Sequence, residues 1–191
     1  IRVGGFKHAL VSTAAACVAR RGRLRLENVP SIRETEILSR IMAKLGASVT
    51  QCGSTDLQID CSGISCNEVD GSLSSEIHGS VYLIPALIAA SGKVQFKGSG
   101  GCKIGDKTSG GERPIHHMVH VLERFGARFR RQGDWLIGEA NGLEGCVIDM
   151  MDYSDQESIL TGPLVSGATK TAIIAALGAK GVTVVYHPYP K

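Results

Sequence analysis

Three stretches of the chain repeat one plan: a helix of small residues, then a glycine, then an alternating strand. Residues 9–21 lead to Gly22 and a strand over 23–28. Residues 79–91 lead to Gly92 and a strand over 93–97. Residues 168–180 lead to Gly181 and a strand over 182–186. A period of this kind predicts repeated supersecondary units instead of one irregular domain. Each glycine stands where a helix is expected to end in left-handed backbone, because period-2 alternation resumes just after it. The helical stretches are apolar nearly all round. A helix like that is buried on every side, so the pattern predicts an α/β fold with helices inside and sheets outside.

A second helix completes two of the units. Residues 32–46 run into a strand around 48–50, and residues 114–126 run into one around 128–130. Their endings, Leu45-Gly46-Ala47 and Phe125-Gly126-Ala127, mark equivalent helix stops. The third unit stops at Pro188-Tyr189-Pro190-Lys191, before any second helix. With Ile1 in place of an initiator Met, the chain reads as a fragment: one domain over 1–191, lacking the close of its third repeat.

From Gly22 to Gly46 is 24 residues, while from Gly92 to Gly126 is 34. The surplus falls in the loop from Phe96 to Pro114, which holds six glycines and, at its centre, Cys102 followed by Lys103 and Lys107. Glycine lets backbone approach a ligand closely. A thiol becomes a useful acid or nucleophile where nearby cations lower its pKa. A long loop that interrupts a repeat is more often functional than structural.

Composition removes several classes of function. A formal charge of +3, with basic residues scattered apart from Arg128, Arg130 and Arg131, argues against a nucleic-acid partner. No apolar run reaches the roughly 18 residues of a membrane span, and the N-terminus is not a signal peptide. The six cysteines include no C-x-x-C. Free thiols in a reducing cytoplasm are therefore expected, without a zinc knuckle.

On these residues the chain resembles the enolpyruvyl transferases. The repeat, the start bearing Lys7, and the run Gly100-Gly-Cys102-Lys-Ile-Gly followed by Arg113-Pro114 carry the likeness over essentially all 191 residues. The resemblance implies two inside-out α/β barrels of the EPSP synthase type, each of three repeated β-α-β-α-β units, with the active site between them and one barrel present here. The partners implied are phosphoenolpyruvate, a uridine nucleotide and the second domain, which supplies an aspartate as general base; the chemistry implied needs no metal and no organic cofactor. Cys102 matches the cysteine that protonates phosphoenolpyruvate. Lys7 matches the lysine that holds its phosphate, with His8 where an asparagine is usual. Arg113 and Pro114 match the pair around the uracil and phosphates, continued by Ile115, His116 and His117. Val165-Ser166-Gly167-Ala168-Thr169 resembles a phosphate cradle, read here as opening a helix whose N–H groups suit an anion.

The departures bear on the substrate. The family's sugar-contacting arginine falls on His78, and a tryptophan falls on Tyr82. About six extra residues follow Cys102, near 106–111, and a further insertion lies at 152–160. Losing an arginine removes a permanent positive charge. That suits an acceptor with fewer phosphates than a UDP-sugar, so the reading favours members acting on the 3′-hydroxyl of UMP in nikkomycin and polyoxin biosynthesis. UDP-N-acetylglucosamine as acceptor, or a non-catalytic nucleotide-binding domain, are the alternatives. His116, His117 and His120 share a helix face, but without a Glu in an H-E-x-x-H frame they do not call for a metal. Asp149, Asp152, Asp155 and Glu157 read as a solvated loop.

Overall fold

The computed structural model describes residues 5–98, 114–154 and 161–189. Cys102, Lys103, Lys107, Arg113, the 106–111 insertion, Asp155 and Glu157 lie outside the described residues.

The first unit holds helix α1 (Lys7–Arg20), strand β1 (Arg23–Leu26), helix α2 (Arg33–Lys44) and the hairpin β2 (Ser48–Cys52) with β3 (Asp56–Asp60). The second opens with β4 (Glu68–Val69) and the short α3 (Gly71–Ser74). A 3-10 turn, His78–Tyr82, then runs straight into α4 (Leu83–Ser91). It continues through β5 (Lys93–Lys97) and α5 (His116–Arg124) to the hairpin β6 (Arg128–Gln132) with β7 (Trp135–Glu139). The third comprises β8 (Leu143–Glu144), β9 (Val147–Asp149), a 3-10 turn at Met150–Tyr153, α6 (Thr161–Ala176), β10 (Ala179–Lys180) and β11 (Val184–Tyr186).

The repeat holds at the level of single bonds. Cys61 N donates to Gly22 O and Ala140 N to Gly92 O, both at 2.8 Å. Ser65 N to Leu45 O and Glu144 N to Phe125 O, both at 3.1 Å, are a second matched pair. Asp70 and Asp149 each cap the element that follows, accepting from the N–H two residues on. Asp149 is thus a structural cap, tied also to His187 at 2.9 Å, and not part of a solvated acidic loop.

Strands form the outer layer: β1-β3-β2, β4-β5-β7-β6, and the parallel pairs β8-β10 and β9-β11. Their alternation has a simple cause. Arg23 and Arg25 face water while Leu24 and Leu26 turn inward, and Arg128, Arg130 and Arg131 of the edge strand β6 are exposed in the same way. That solvated face is the ordinary use of a charged edge strand. Inside lie α1, α4 and α6, packed on one another. Ala14, Val18, Ala86, Leu87, Ala168, Ala172 and Ala175 are fully buried. Alanine at these contacts lets the helix axes approach closely. The amphipathic α2 and α5 close two sides with matching stripes: Ile37, Leu38, Ile41 and Met42 in one, His117, Met118, Val121 and Leu122 in the other.

The three buried helices run parallel. At their C-terminal ends Arg20 donates to Leu177 O at 2.8 Å, Arg21 Nε donates to Ala90 O at 3.3 Å, and Gly178 lies against Ala89. Cations meet the last carbonyls there, which suits the negative end of each helix dipole. At the opposite end Gly79 packs on Val11 and beside Glu34.

Several sequence expectations are corrected. Gly46 (φ 101°) and Gly126 (φ 95°) end α2 and α5 as foreseen, but of the three glycines after the buried helices only Gly92 (φ 73°) does so; in the first unit the left-handed residue is Arg21 (φ 47°), with Gly22 after it. In the third unit α6 stops at Ala176, because Gly178 must approach Ala89 so closely that a Cβ would lie 2.7 Å from its carbonyl oxygen. Gly181 (φ 83°) instead links β10 to β11. The strands β3 and β7 were not foreseen, although the turn glycines Gly53 and Gly133, both with positive φ, signal hairpins.

Candidate active site

Lys7 opens α1 and pairs with Glu34 of α2 at 2.8 Å; the Glu34 side chain is 14% exposed, that of Lys7 43%. Glu34 also sits against Gly79, where a Cβ would lie 3.2 Å from its Oε1. Sequence reasoning passed over Glu34. The repeat held a signal for it: with Gly46 matched to Gly126, Glu34 occupies the position of Pro114. His8 is exposed, with its ring centre 5.2 Å from that of Phe6.

Next to Gly79 stands His78, which is half-buried and close enough to His117 to act on it electrostatically. His117 is 6% exposed and presses its Nε2 against Gly167 of α6, where an alanine Cβ would lie at 2.3 Å. A glycine is required there by close approach. His117 Nδ1 is buried with no hydrogen-bond partner among the described residues. In the repeat His117 takes the place of Ile37, so an imidazole fills an apolar position.

One turn of α6 further on, Lys170 Nζ donates to Ser166 Oγ at 3.2 Å and lies 5.5 Å from the centre of the Tyr82 ring. Tyr82 and Ser166 are buried. Lys170 too escaped sequence reasoning, though it is the one charged residue in the sixteen of α6. The elements thus bring Lys7, His78, Tyr82, His117, Ser166 and Gly167 to the end of the helix bundle opposite the arginine-capped one.

Two expectations change. Val165-Ser166-Gly167 does not open a helix, because α6 begins at Thr161. Pro163 suits a first turn, where a missing N–H goes unused, so the helix starts earlier. The N–H groups of 165–167 therefore lie within the helix, and any anion there must be met by side chains. The segment from Pro114 to His117 also divides. His117 turns inward, while Pro114, Ile115 and His116 line an open groove of about 730 Å³ between α5 and the four-stranded sheet, with Lys97, Arg130 and Arg131. Among the described residues no cluster of His, Cys, Asp or Glu could hold a metal ion.

Burial, followed by the nearby His116, His78 and His120, lowers the His117 pKa from 6.5 to about 4. Folding with a neutral imidazole gives a definite pH dependence. Below about pH 6.5 the unfolded chain takes up a proton that the folded state refuses. This contribution is complete above pH 6.5 and is lost as pH falls toward about 4, to a total of about 3 kcal/mol. His117→Leu should remove that slope. Urea denaturation of both proteins at pH 7 and pH 4.5 tests it, and a stability difference that stays constant between the two would refute it.

No family model matches the chain. It is 30% identical over 190 residues to UDP-N-acetylglucosamine 1-carboxyvinyltransferase 1 of Symbiobacterium thermophilum, covering 97% of this chain and 39% of that protein. It is 31% identical over 186 residues to UDP-N-acetylglucosamine 1-carboxyvinyltransferase 2 of Clostridium acetobutylicum, covering 97% of this chain and 40% of that one. Among solved structures, the enolpyruvyl transferase NikO from Streptomyces tendae superposes on the whole chain with a TM-score of 0.85 at 34% identity, using 41% of its own length. An EPSP synthase from Acinetobacter baumannii, at 16% identity and a TM-score of 0.65, shares the fold. The chain spans about two fifths of the length of these relatives.

Proposed function

The chain belongs to the enolpyruvyl transferase family, as one α/β domain of the EPSP synthase type, and on that premise we propose that it forms half of an active site. This half moves the enolpyruvyl group of phosphoenolpyruvate onto a hydroxyl of a uridine nucleotide. The observation that carries the reading is the parallel helix bundle. Its C-terminal ends are met by Arg20 and Arg21, and Lys7, His78, Ser166 and Lys170 gather toward the other end. Helix dipoles aligned in one direction and two lysines make that end a place for anions.

In the proposed reaction the acceptor oxygen bonds to C2 of phosphoenolpyruvate while Cys102 delivers a proton to C3. The tetrahedral intermediate then loses a proton from C3 and expels inorganic phosphate, restoring the double bond. Lys7 and Arg113 hold the phosphate. Glu34 holds Lys7 in position until phosphate displaces it. Donors fixed before the reaction, in a site closed to water, supply the larger part of such catalysis. The base that deprotonates the acceptor is an aspartate of a second domain. The free thiols at Cys17, Cys52, Cys61, Cys66 and Cys146 suit a reducing cytoplasm.

UMP is the acceptor we favour, because His78 stands where an arginine would otherwise reach the nucleotide. Identity near 30% to the UDP-N-acetylglucosamine 1-carboxyvinyltransferases supports the second reading, a UDP-sugar acceptor. A charge-assisted contact is worth about 1.5–3 kcal/mol, so UMP should bind the full-length protein about tenfold or more tightly than UDP-N-acetylglucosamine. Calorimetry with both ligands decides it. A preference for the UDP-sugar returns the chain to the second reading, and failure to bind either overturns both.

A further inference from the structure

Away from the anion end of the bundle, two thiols meet in the seam between helix and sheet. Cys17 lies on α1, and Cys61 directly follows β3. Both converge on one carbonyl: Cys17 Sγ donates to Gly22 O at 3.2 Å, and Cys61 N donates to the same oxygen at 2.8 Å. The two thiols also share a hydrogen bond with each other. Both residues are buried.

The repeat shows that the fold does not require sulfur here. The bond from Cys61 N to Gly22 O is matched by that from Ala140 N to Gly92 O, so Cys61 takes the place of Ala140. Counted back from Gly22 and from Gly92, Cys17 takes the place of Leu87. An apolar pair therefore suffices at these positions in the second unit. A free thiol packs as a small hydrophobe, so sulfur at one of the two places would call for no explanation. Two thiols in hydrogen-bond contact have a chemistry of their own. The bond from Cys61 lowers the Cys17 pKa, while the same bond, followed by burial, raises that of Cys61. The thiolate is the form that attacks an oxidant, so Cys17 is suited to react first and Cys61 to resolve the product.

We propose that Cys17 and Cys61 form an oxidation site, in which hydrogen peroxide converts the pair to a disulfide that ties α1 to the end of β3. The Cys17 thiolate attacks one peroxide oxygen and the O–O bond breaks. The hydroxide released takes up the proton that Cys17 gave up, leaving a sulfenic acid and one water. The Cys61 sulfur then attacks the Cys17 sulfur, the S–O bond breaks, and hydroxide leaves with the Cys61 proton as a second water. Two thiols are oxidised to one disulfide, and the peroxide is reduced to water. The link joins an inner helix to the outer sheet and closes a long loop, which restricts the unfolded chain. It lies beside the arginines that end α1, far along the helix from Lys7, and it takes no part in enolpyruvyl transfer.

The test treats the full-length protein with hydrogen peroxide at neutral pH without denaturant, blocks the remaining thiols, and maps the unreduced digest by mass spectrometry. The peptides holding Cys17 and Cys61 should appear joined, lighter than their sum by two hydrogen atoms, and dithiothreitol should separate them. The oxidised protein should unfold at a urea midpoint higher by about 1 M or more than the reduced one. Cys61→Ala, which installs the residue of the second unit, and Cys17→Ser should each abolish both the link and the rise under the same treatment. Cys17 passing to sulfinic acid with no link, either residue joined instead to another cysteine, or a link that forms only in urea would overturn the proposal. A native link that leaves the midpoint unchanged would overturn the clamp between helix and sheet.

Discussion

Replacing Cys102 with alanine in the full-length protein should lower enolpyruvyl transfer by a factor of about 10²–10⁴, the range that loss of a positioned general acid brings. UMP binding should hardly change, because the proposed acceptor contacts lie on Ser166, Gly167 and the segment that begins at Arg113. Protonation at C3 has to accompany attack at C2, or the negative charge that develops on carbon has nowhere to go. Three of the other five thiols are poorly suited to the part. Cys17 and Cys61 are buried in the helix–sheet seam; the two thiols share a hydrogen bond, and the Cys61 thiol is pushed well above the ordinary range. Burial raises Cys146 as well. Brief alkylation at neutral pH should therefore label Cys102 first. Phosphate-release assays and peptide mapping check the two expectations. A Cys102→Ala protein with near-normal turnover would remove the residue from the mechanism, and preferential labelling of Cys52 or Cys66 would remove the cationic activation of its thiol.

The largest effect on stability is expected at Leu87. It is fully buried in α4, the helix that packs on both α1 and α6 and is backed by β5 and β7. Leu87→Ala removes apolar contact within a three-helix bundle whose core includes the fully buried Ala14, Ala172 and Ala175, side chains too short to extend into a space left open. A poorly collapsing site lies in the upper part of the usual range, so the loss should be about 4–5 kcal/mol. Val147→Ala, at a position 55% exposed on β9, should stay within about 0.5 kcal/mol. Urea denaturation of both variants gives the comparison. A cost for Leu87→Ala close to that of Val147→Ala would mean that the three helices do not form one core.

Much of this was legible from residue order. Helices apolar all round announced a buried bundle, and alternating Arg and Leu in β1 announced strands with one face in water. The matched Gly-Ala helix stops announced α2 and α5 as equivalents. Even the special character of His117 could be read, since it breaks an apolar stripe where its repeat partner is Ile37. The misses share a cause. Arg21 rather than Gly22 takes the left-handed position, and α6 ends at Ala176, because the end of α1 meets the Ala90 carbonyl of α4 and the Leu177 carbonyl after α6, while Gly178 packs on the face of Ala89. Such contacts join residues remote in the chain, and no local propensity records them.

The division runs the same way through the candidate site. Sequence alone nominated the residues proposed to carry the chemistry, namely Lys7, Cys102, Arg113 and the Ser166-Gly167 step, through their match to family motifs, because a motif is a local property. It also determined that the helices are buried, because burial is written residue by residue in hydrophobicity and its period. Only the tertiary structure decided that the three helices run parallel, that Lys7 is held by Glu34, and that Lys170 reaches Ser166 over Tyr82. Direction and partnership arise when separate elements pack together, and packing depends on the shapes of surfaces that do not exist until the chain has folded.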